Sequence, residues 1–343
     1  MNAVSAPPSG QVDRAPTLGR PGTPVAVATL ILALAVVSVA SVLLGARWIP
    51  PGTLFDPDSP LHGVAAARLD RTLLGLVVGG ALGLVGAMMQ GLTRNPLADP
   101  GILGINAGAA FAMVLAISFF GISDLQGYIW FAFAGAAGAM VLVHAIAAVG
   151  RDGATPVKVA IAGAALTAAL GSWTSGVLLV DRQTIEAFRL WNVGTVAGRD
   201  TGVLLTCLPF LVAGVVLALT STRSLNALAL GDDRARGLGR RLALDRLVVG
   251  VAVVLLAGAA TALAGPIAFV GLIVPHAVRA VVGPDYRRVL PLSLGYGAVL
   301  VVAADVVGRL VLPPSEVQVG IMTAVIGVPV FLHLIRRGRI GAL

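Results

Sequence analysis

Histidine, cysteine and lysine often supply catalytic and ion-binding groups, but this 343-residue chain spaces them too widely to form such a site. No two of its four histidines stand four residues apart, the spacing that places two imidazoles on one helix face as metal ligands. Cys207 is the only cysteine, which excludes a disulfide or thiolate cluster. The only lysine, Lys158, follows Val157, so the Gly-Lys-Ser/Thr loop that binds ATP phosphates is absent. We therefore expect neither a metal site nor an ATP-binding loop in this chain.

The composition is typical of a membrane protein. Apolar residues make up 57% of the chain and charged residues only 12%, and the mean hydropathy is +0.94. This hydrophobicity excludes a soluble globule and a disordered chain, and the 43 glycines follow no collagen triplet. The net charge of +8 does not indicate a nucleic-acid partner, because the arginines lie in the gaps between apolar runs.

About 20 apolar residues are needed for a helix to cross a bilayer, and the chain contains ten runs close to that length. These runs cover residues 25–45, 72–92, 102–120, 128–149, 159–180, 202–220, 247–264, 266–283, 290–312 and 317–335. We therefore predict an all-α polytopic bundle of ten transmembrane helices, with the membrane domain at 25–337. Residues 1–24 and 338–343 are predicted to be cytoplasmic tails, the first of them flexible.

The distribution of the 24 lysine and arginine residues favours ten crossings over nine. With both termini in the cytoplasm, seventeen of them lie inside and seven outside, namely Arg47, Arg68, Arg71, Arg182, Arg189, Arg199 and Arg309. The run 266–283 contains two prolines and an arginine, and the alternative is that it forms a re-entrant loop. In that case each side would carry twelve cations, and the positive-inside bias would vanish.

Two segments combine proline, glycine and polar residues at span boundaries. The first is 90–101, where Pro96 ends one span, Asp99 is a plausible N-cap for Pro100, and Arg94 and Asn95 mark the cytoplasmic edge. A rigid turn is sufficient to explain this segment on physical grounds.

The second segment is 264–276, with Gly265, Pro266, Gly271, Pro275 and His276. Proline inside a span frees a backbone carbonyl that a neighbour must satisfy, so we expect a kinked helix shielded by protein. The imidazole at the kink is either a packing group or a titrating one.

Both segments resemble signature sequences of the FecCD family, the permease subunits of ATP-binding-cassette (ABC) importers for iron siderophores, haem and cobalamin. The similarity rests on residues 94–100 (RNPLADP), with Gly104 and Gly108 after them, and on residues 265–276. It extends over about residues 25–337. The resemblance implies a ten-helix permease that pairs with a second permease subunit, as a homodimer or heterodimer. It also implies two ATPase subunits and an external substrate-binding protein as partners.

The resemblance further assigns a role to the loop after the sixth span. This loop is similar to the family's coupling loop, which in relatives forms two short helices on the ATPase subunit. Gly231 and Gly237 suit its turns, while leucines and charges would contact the partner. The assigned residues are Leu225, Leu228, Leu230, Gly231, Asp232, Arg234, Arg236, Gly237 and Gly239. Composition alone favours a generic basic inner loop.

At the outer side, residues 68–71 match a family stretch usually written Arg-x-Pro-Arg, and Arg309 matches an arginine near the outer end of the ninth helix. In relatives such arginines pair with glutamates of the binding protein, which suits the bidentate geometry of a guanidinium and a carboxylate. The resemblance thus implies docking by Arg68, Arg71 and Arg309. Asp70 replaces the usual proline and would neutralise part of the patch. The alternative is that these arginines only snorkel at the interface.

Two polar groups lie within the spans. Asp305 and Arg309 are four residues apart on one helix face, so we expect an ion pair, either functional or structural. Ser172, Thr174 and Ser175 either line a translocation path or serve helix packing. The outer stretch 181–201 resembles the family's short helix at the pore mouth.

We interpret the chain as a bacterial inner-membrane permease subunit that moves a ferric siderophore, haem or cobalamin into the cytoplasm. On this interpretation the chain is not an enzyme and needs no cofactor, because a separate ATPase subunit hydrolyses ATP. The rival is an ion-coupled secondary carrier, which would need an acidic residue near the membrane midplane, and Asp305 is the only candidate. A third class, a structural membrane scaffold, would carry out no transport.

Overall fold

A computed structural model describes residues 22–45, 47–122, 124–150, 155–199 and 201–336, and regular structure within these ranges is entirely helical. The α-helices are α1 Thr23–Leu43, α2 His62–Thr93, α3 Ile105–Phe120, α4 Leu125–Ala147, α5 Pro156–Val180, α6 Arg182–Asn192, α7 Thr201–Thr220, α8 Thr222–Ala229, α9 Asp232–Gly237, α10 Leu242–Ala264, α11 Val270–Val282, α12 Tyr286–Val311 and α13 Val319–Arg336. Two 3₁₀ turns, Pro51–Phe55 and Pro100–Leu103, precede α2 and α3. Of the predicted tails, residues 1–21 and 338–343 lie outside the described ranges.

The predicted all-α membrane bundle is confirmed. Seven helices are long and apolar enough to cross a bilayer: α1, α2, α4, α5, α7, α10 and α12. Three shorter apolar helices, α3, α11 and α13, account for the remaining predicted runs. The main difference is in α2, which begins ten residues before the predicted run at 72 because its first turns carry charged residues that hydropathy alone excludes.

Helix α2 forms the centre of the bundle, and α10, α11 and α12 pack around it. Its glycines allow the backbones to touch: a Cβ at Gly83 would lie 2.1 Å from the carbonyl oxygen of Ser293 on α12. A Cβ at Gly86 would lie 1.9 Å from the carbonyl oxygen of Gly271 on α11. Such small residues permit the close helix approach that lipid does not drive by itself.

The chain crosses the bundle at 265–283, which argues against the re-entrant alternative. At the end of α10, the carbonyl of Ala264 accepts a hydrogen bond from Thr195, beyond α6. At the start of α12, Tyr286 donates its backbone N–H to Asn226 of α8, at the opposite end of the bundle. Helix α11 connects these two ends, so this segment traverses the bundle.

Candidate functional site

The loop between α7 and α10 folds into two short helices, α8 and α9, as the resemblance implied. Gly231 joins them with φ +99° and ψ 156°, a conformation that is essentially restricted to glycine. Gly239, with φ +74°, ends the segment after α9. Of the two predicted turn glycines, Gly231 lies where the backbone requires glycine, whereas Gly237 is the last residue of α9 and has no positive φ. We call residues 222–239 the inner loop.

Two of the leucines assigned to partner contact are buried within the described subunit. Leu225 is 0% exposed and Leu228 is 2% exposed. Leu225 packs against Gly91 of α2, beside the ring of Tyr286. Leu228 belongs to a small core with Ala235 of the inner loop and the first residue of α10. Within the described subunit these two leucines are therefore not exposed to a partner, because they anchor the loop to the bundle.

The opposite side of the inner loop presents leucines among arginines. Leu230 and Leu238 are 51% and 64% exposed. Arg234 and Arg236 are exposed beside them, and a Cβ added at Gly237 would meet open space. This face therefore combines exposed apolar and basic side chains. Leu238 was not among the residues assigned from the sequence.

Asp232 connects the inner loop to two long helices. Its carboxylate lies 2.6 Å from Nη2 of Arg94, at the end of α2, and 2.8 Å from Nη2 of Arg246 on α10. Arg94 itself adopts a left-handed conformation with φ +51°, which is uncommon for a residue other than glycine. The signature arginine is therefore the C-cap residue of α2 and an ion-pair partner of the loop.

A second polar cluster connects α8 with α10. The hydroxyl of Ser224 donates to Oδ1 of Asp245 at 2.8 Å, and Nε of Arg240 donates to Oδ2 of the same carboxylate at 2.9 Å. Asp245 is buried, so the two donors compensate the loss of water around its charge.

A third link connects α8 with the start of α12. The side-chain amide of Asn226 donates to Asp285 at 2.8 Å, and its carbonyl oxygen accepts from the backbone N–H of Tyr286 at 3.0 Å. Asp285 also caps α12. Its pKa is lowered by the hydrogen bond from the backbone N–H of Arg287, then by the Asn226 amide, and by the positive charges of Arg287 and Arg288.

The first signature segment forms the rigid turn that physical reasoning predicted. Oδ1 of Asn95 accepts from the backbone N–H of Leu97 at 2.9 Å. Asp99 is an N-cap, as expected, with its carboxylate accepting from Gly101 at 2.9 Å and Pro100 at the first position. The capped element is a 3₁₀ turn, and α3 starts only at Ile105.

The second signature segment confirms the expected consequence of proline within a span. Pro275 has no N–H to donate to the carbonyl of Gly271 four residues before it. That carbonyl instead accepts from the side-chain amide of Gln90 on α2, at 3.1 Å. His276 follows Pro275 and is half-buried.

Gly265 and Pro266 mark the other end of this segment. A Cβ at Gly265, where φ is +75°, would lie 2.0 Å from the carbonyl oxygen of Trp191. The backbone of Pro266 approaches Gly194, beyond α6. These contacts join the end of α10 to α6, the short helix predicted within the outer stretch 181–201.

At the end of the bundle opposite the inner loop, Arg68 closes the end of α1. Its Nη1 donates to the carbonyls of Val42 and Leu43, each at 3.2 Å, and its Nη2 donates to the carbonyl of Arg47 at 2.7 Å. The neighbouring Asp70 accepts from the hydroxyl of Thr201 at 2.6 Å, so it contacts the start of α7.

Arg71 and Arg309 share the carboxylate of Asp305. Nη2 of Arg71 lies 2.7 Å from Asp305 and its Nη1 lies 2.6 Å from Glu316. Nε of Arg309 lies 3.2 Å from Asp305, which confirms the predicted pair, and its Nη1 donates to the carbonyl of Ser41. Arg309 is 1% exposed. Docking by Arg309 therefore does not fit the described subunit, because its guanidinium is enclosed between α1 and α12.

The helical fold agrees with comparisons to known proteins. The FecCD transport family model matches residues 32–337. The chain belongs to the FecCD transport family. This FecCD chain is 46% identical over 271 residues to the probable siderophore transport system permease protein of Bacillus subtilis (strain 168). The aligned region covers 79% of the chain and 81% of that protein.

A second relative is the ferric enterobactin transport system permease protein of Escherichia coli (strain K12), 43% identical over 322 residues, or 91% of the FecCD chain and 95% of that protein. Among solved structures, a metal-chelate type ABC transporter in an inward-facing conformation superimposes with a TM-score of 0.81 at 28% identity. The match covers 92% of this chain and 99% of that one. The FecCD chain is therefore a transmembrane permease subunit of an ABC importer.

The predicted path residues of this FecCD permease lie on α5. Ser172 and Ser175 are on an exposed face, and each hydroxyl donates to its own helix, to Ala168 and Gly171 respectively, at 2.9 Å. Thr174 is buried. Within one subunit the two serines therefore do not line an enclosed path.

Several connecting residues of the FecCD permease were not identified from the sequence. Asn226, Asp245 and Arg246 had no distinguishing local pattern. Two others carry weak signals: Asp285 follows a proline at a helix start, and Gln90 is a polar residue in the last turns of a buried apolar span.

Proposed function

We propose that this permease moves a ferric siderophore into the cytoplasm, with haem and cobalamin as the alternative cargoes. The two relatives named above are siderophore and ferric enterobactin permeases, which favours the first cargo. The observation that carries the mechanism is the attachment of the inner loop to α2, α10 and α12 through Asp232, Asp245 and Asp285.

We propose that the inner loop transmits movement from two ATPase subunits to the transmembrane helices. Its exposed face offers Leu230 and Leu238 to a partner, with Arg234 and Arg236 beside them. Its buried face is fixed to the bundle by Leu225 and the three aspartates. A displacement of the loop therefore displaces three long helices together, and the free energy comes from ATP binding in the partner, which favours one helix arrangement over the other.

The proposed orientation places the inner loop and both termini in the cytoplasm. Most cations of the sequence then lie inside, which satisfies the positive-inside rule. The end that carries Arg68, Arg71 and Asp305 then faces outward and receives the binding protein. Because these arginines hold the bundle together, we assign docking mainly to α6, where Arg189 and Glu186 are exposed.

A second permease subunit is proposed to cover α5. Only 17% of the most apolar stretch of this helix is buried within the subunit. If a partner subunit packs there, Ser172 and Ser175 would face an enclosed path between the two subunits. This arrangement explains why small polar residues occupy an otherwise apolar face.

Uptake by proteoliposomes tests the proposal. The permease, its ATPase and the binding protein are reconstituted, and uptake of a ferric siderophore is measured with ATP, without ATP, and with ATP plus a protonophore. We expect ATP-dependent uptake that the protonophore leaves unchanged. Uptake abolished by the protonophore would favour the ion-coupled carrier instead, and ATP-dependent uptake of haem or cobalamin alone would change the cargo.

A labelling experiment tests the orientation. Cys207, the only cysteine of the sequence, is buried, so any labelling of the Gly237→Cys variant is assigned to the introduced cysteine. We expect an impermeant maleimide to label this variant in inverted vesicles and not in intact cells. Phe55→Cys, at a side chain that is 87% exposed at the other end, should show the reverse pattern.

A further inference from the structure

An apolar cavity of about 580 Å³ lies between α4 and α10, near the inner loop. This volume is in the range of ligand sites in proteins. Its walls include Met140 and Val141 of α4 and Leu247, Val251 and Val254 of α10. Val141 and Leu247 are more than half exposed, so the cavity opens sideways, where a bilayer would surround the helices. A membrane component is therefore the natural occupant.

The polar lining of the cavity is concentrated at one end. Thr93 is the last residue of α2, His144 lies in the last turn of α4, and Arg246 lies near the start of α10. Thr93 donates its hydroxyl to the carbonyl of Met89, and Nδ1 of His144 is 3.1 Å from the carbonyl of Met140. Arg246 is thus the charged group at this end of the cavity.

The charge at this end is not balanced among the described residues. Arg94 and Arg246 share the single carboxylate of Asp232, so two cations face one anion. The other carboxylates of the inner loop and the start of α10 have their own cations: Asp233 pairs with Arg236, and Asp245 with Arg240. One positive charge therefore remains uncompensated next to an apolar cavity. Both guanidinium groups of the Asp232 cluster are about one-third exposed and so accessible to an anion.

We propose that this cavity binds an anionic phospholipid, with its phosphate at Arg246 and an acyl chain along Val141, Leu247 and Val251. Basic pockets between transmembrane helices are suited to anionic head groups, and the apolar walls match a hydrocarbon chain. A zwitterionic head group carries its own cation beside the phosphate, so its net attraction to Arg246 is weaker. The binding site is independent of the proposed function, whereas its assignment to the cytoplasmic leaflet rests on it.

The site is connected to the inner loop through one guanidinium. Nη2 of Arg246 donates to both oxygens of Asp232, the first residue of α9. A phosphate bound at Arg246 would hold this side chain in place and so preserve its bond to the loop. Lipid occupancy is therefore expected to keep α9 ordered.

Native mass spectrometry of the purified full-length chain tests the site. Phosphatidylglycerol and phosphatidylcholine with identical acyl chains are added in equal amounts, and retention of each lipid is measured. We expect the wild-type chain to retain phosphatidylglycerol preferentially. Arg246→Gln should weaken this retention about fivefold, the effect of one cationic side chain on an anionic lipid. The control, Arg288→Gln, alters an exposed arginine of α12 and should retain the lipid normally.

A second pair of variants tests the apolar part. A Cβ at Gly250 would point into the cavity, 3.3 Å from the flexible end of Met140, so Gly250→Leu should fill it and reduce retention of both lipids. Gly63→Leu, where a side chain meets open space at the far end of α2, is the control. If Gly250→Leu unfolds at a lower temperature than wild type, Val251→Trp at the partly exposed rim replaces it.

Three outcomes would overturn the proposal: equal retention of the two lipids by the wild type, equal loss in the Arg246 and Arg288 variants, or undiminished retention when the cavity is filled. Each would mean that the lipid is only part of the general belt around the helices. These results are separate from uptake by the reconstituted importer, so a permease that transports without lipid preference disproves only the lipid site.

Discussion

Nη2 of Arg94 lies 2.6 Å from the carboxylate of Asp232, although 138 residues separate them in the chain. This ion pair joins the end of the central helix to the first residue of α9. Because Asp232 also binds Arg246, one carboxylate holds together three segments at the end of the bundle that carries the inner loop.

Asp232→Asn is expected to loosen the inner loop while the bundle stays folded. The two ion pairs are partly exposed, so their loss should cost only about 1 kcal/mol in total. Amide exchange in α9 should accelerate about fivefold, and ATP-dependent uptake should fall. Asp233→Asn is the matched control, because that neighbouring side chain is 99% exposed and pairs only within α9. Equal effects of the two variants would contradict the role of Asp232.

Gly237→Glu is expected to separate ATP hydrolysis from uptake. The new side chain meets open space, so insertion and thermal stability should be unchanged, but its bulk and negative charge would lie on the proposed ATPase-docking face. Gly63→Glu, at an equally open position at the other end, should transport normally. Normal uptake by the Gly237 variant would count against the assignment of this face.

Leu228→Glu should behave differently, because Leu228 is buried. A carboxylate in this small core has no partner, so we expect loss of folded protein instead of an inserted but uncoupled subunit. Size-exclusion chromatography in detergent distinguishes the two results, and a monodisperse Leu228 variant would show that the core is less enclosed than described.

Asp305→Asn is expected to destabilise the outer end. The change leaves Arg71 and the buried Arg309 without their shared carboxylate, and an uncompensated buried charge costs about 3 kcal/mol or more. Thermal unfolding in detergent measures the effect. Glu316→Gln also removes a partner of Arg71, but this side chain is 38% exposed, so its effect should remain below about 1 kcal/mol. Comparable losses in both variants would refute the distinction.

The hydrogen bond between Gln90 and Gly271 can be tested by compensation. Gln90→Leu leaves the Gly271 carbonyl without its donor, which should cost about 1–3 kcal/mol. Pro275→Ala restores a backbone N–H four residues after that carbonyl. The stability loss from Gln90→Leu should therefore be smaller in the Pro275→Ala background. If the stability losses of the two substitutions are strictly additive in thermal unfolding, Gln90 does not replace the donor that Pro275 lacks.

The link between Asp285 and α8 predicts a dependence on acid pH. Because the pKa of Asp285 is lowered in the folded chain, its stabilising effect is fully present above the unfolded value of about 3.9 and is lost as pH falls through the folded pKa. Thermal unfolding of wild type and Asp285→Asn should differ at pH 7 and converge below about pH 4. A difference that stays constant over this range would contradict the charge effect.

Much of the fold was predictable because insertion into a bilayer depends on local composition. Ten apolar runs correspond to ten helices, and the segment 266–283 traverses the bundle, which agrees with the alternative that the charge distribution favoured. The boundaries were less predictable: α2 extends outward through Arg68 and Arg71, whose charges are satisfied by carbonyls and carboxylates distant in sequence. Local hydropathy does not include such partners.

The sequence alone determined the class of this protein: an apolar chain with basic gaps, two signature segments and a glycine-hinged basic loop. Only the tertiary structure decided which side of that loop is available to a partner. Leu225 and Leu228 anchor it, whereas Leu230 and Leu238 are exposed. It also decided that Arg309 is enclosed within the bundle. The physical reason is that side-chain burial and ion pairing depend on helices brought together from distant parts of the chain, which residue spacing within one segment does not specify.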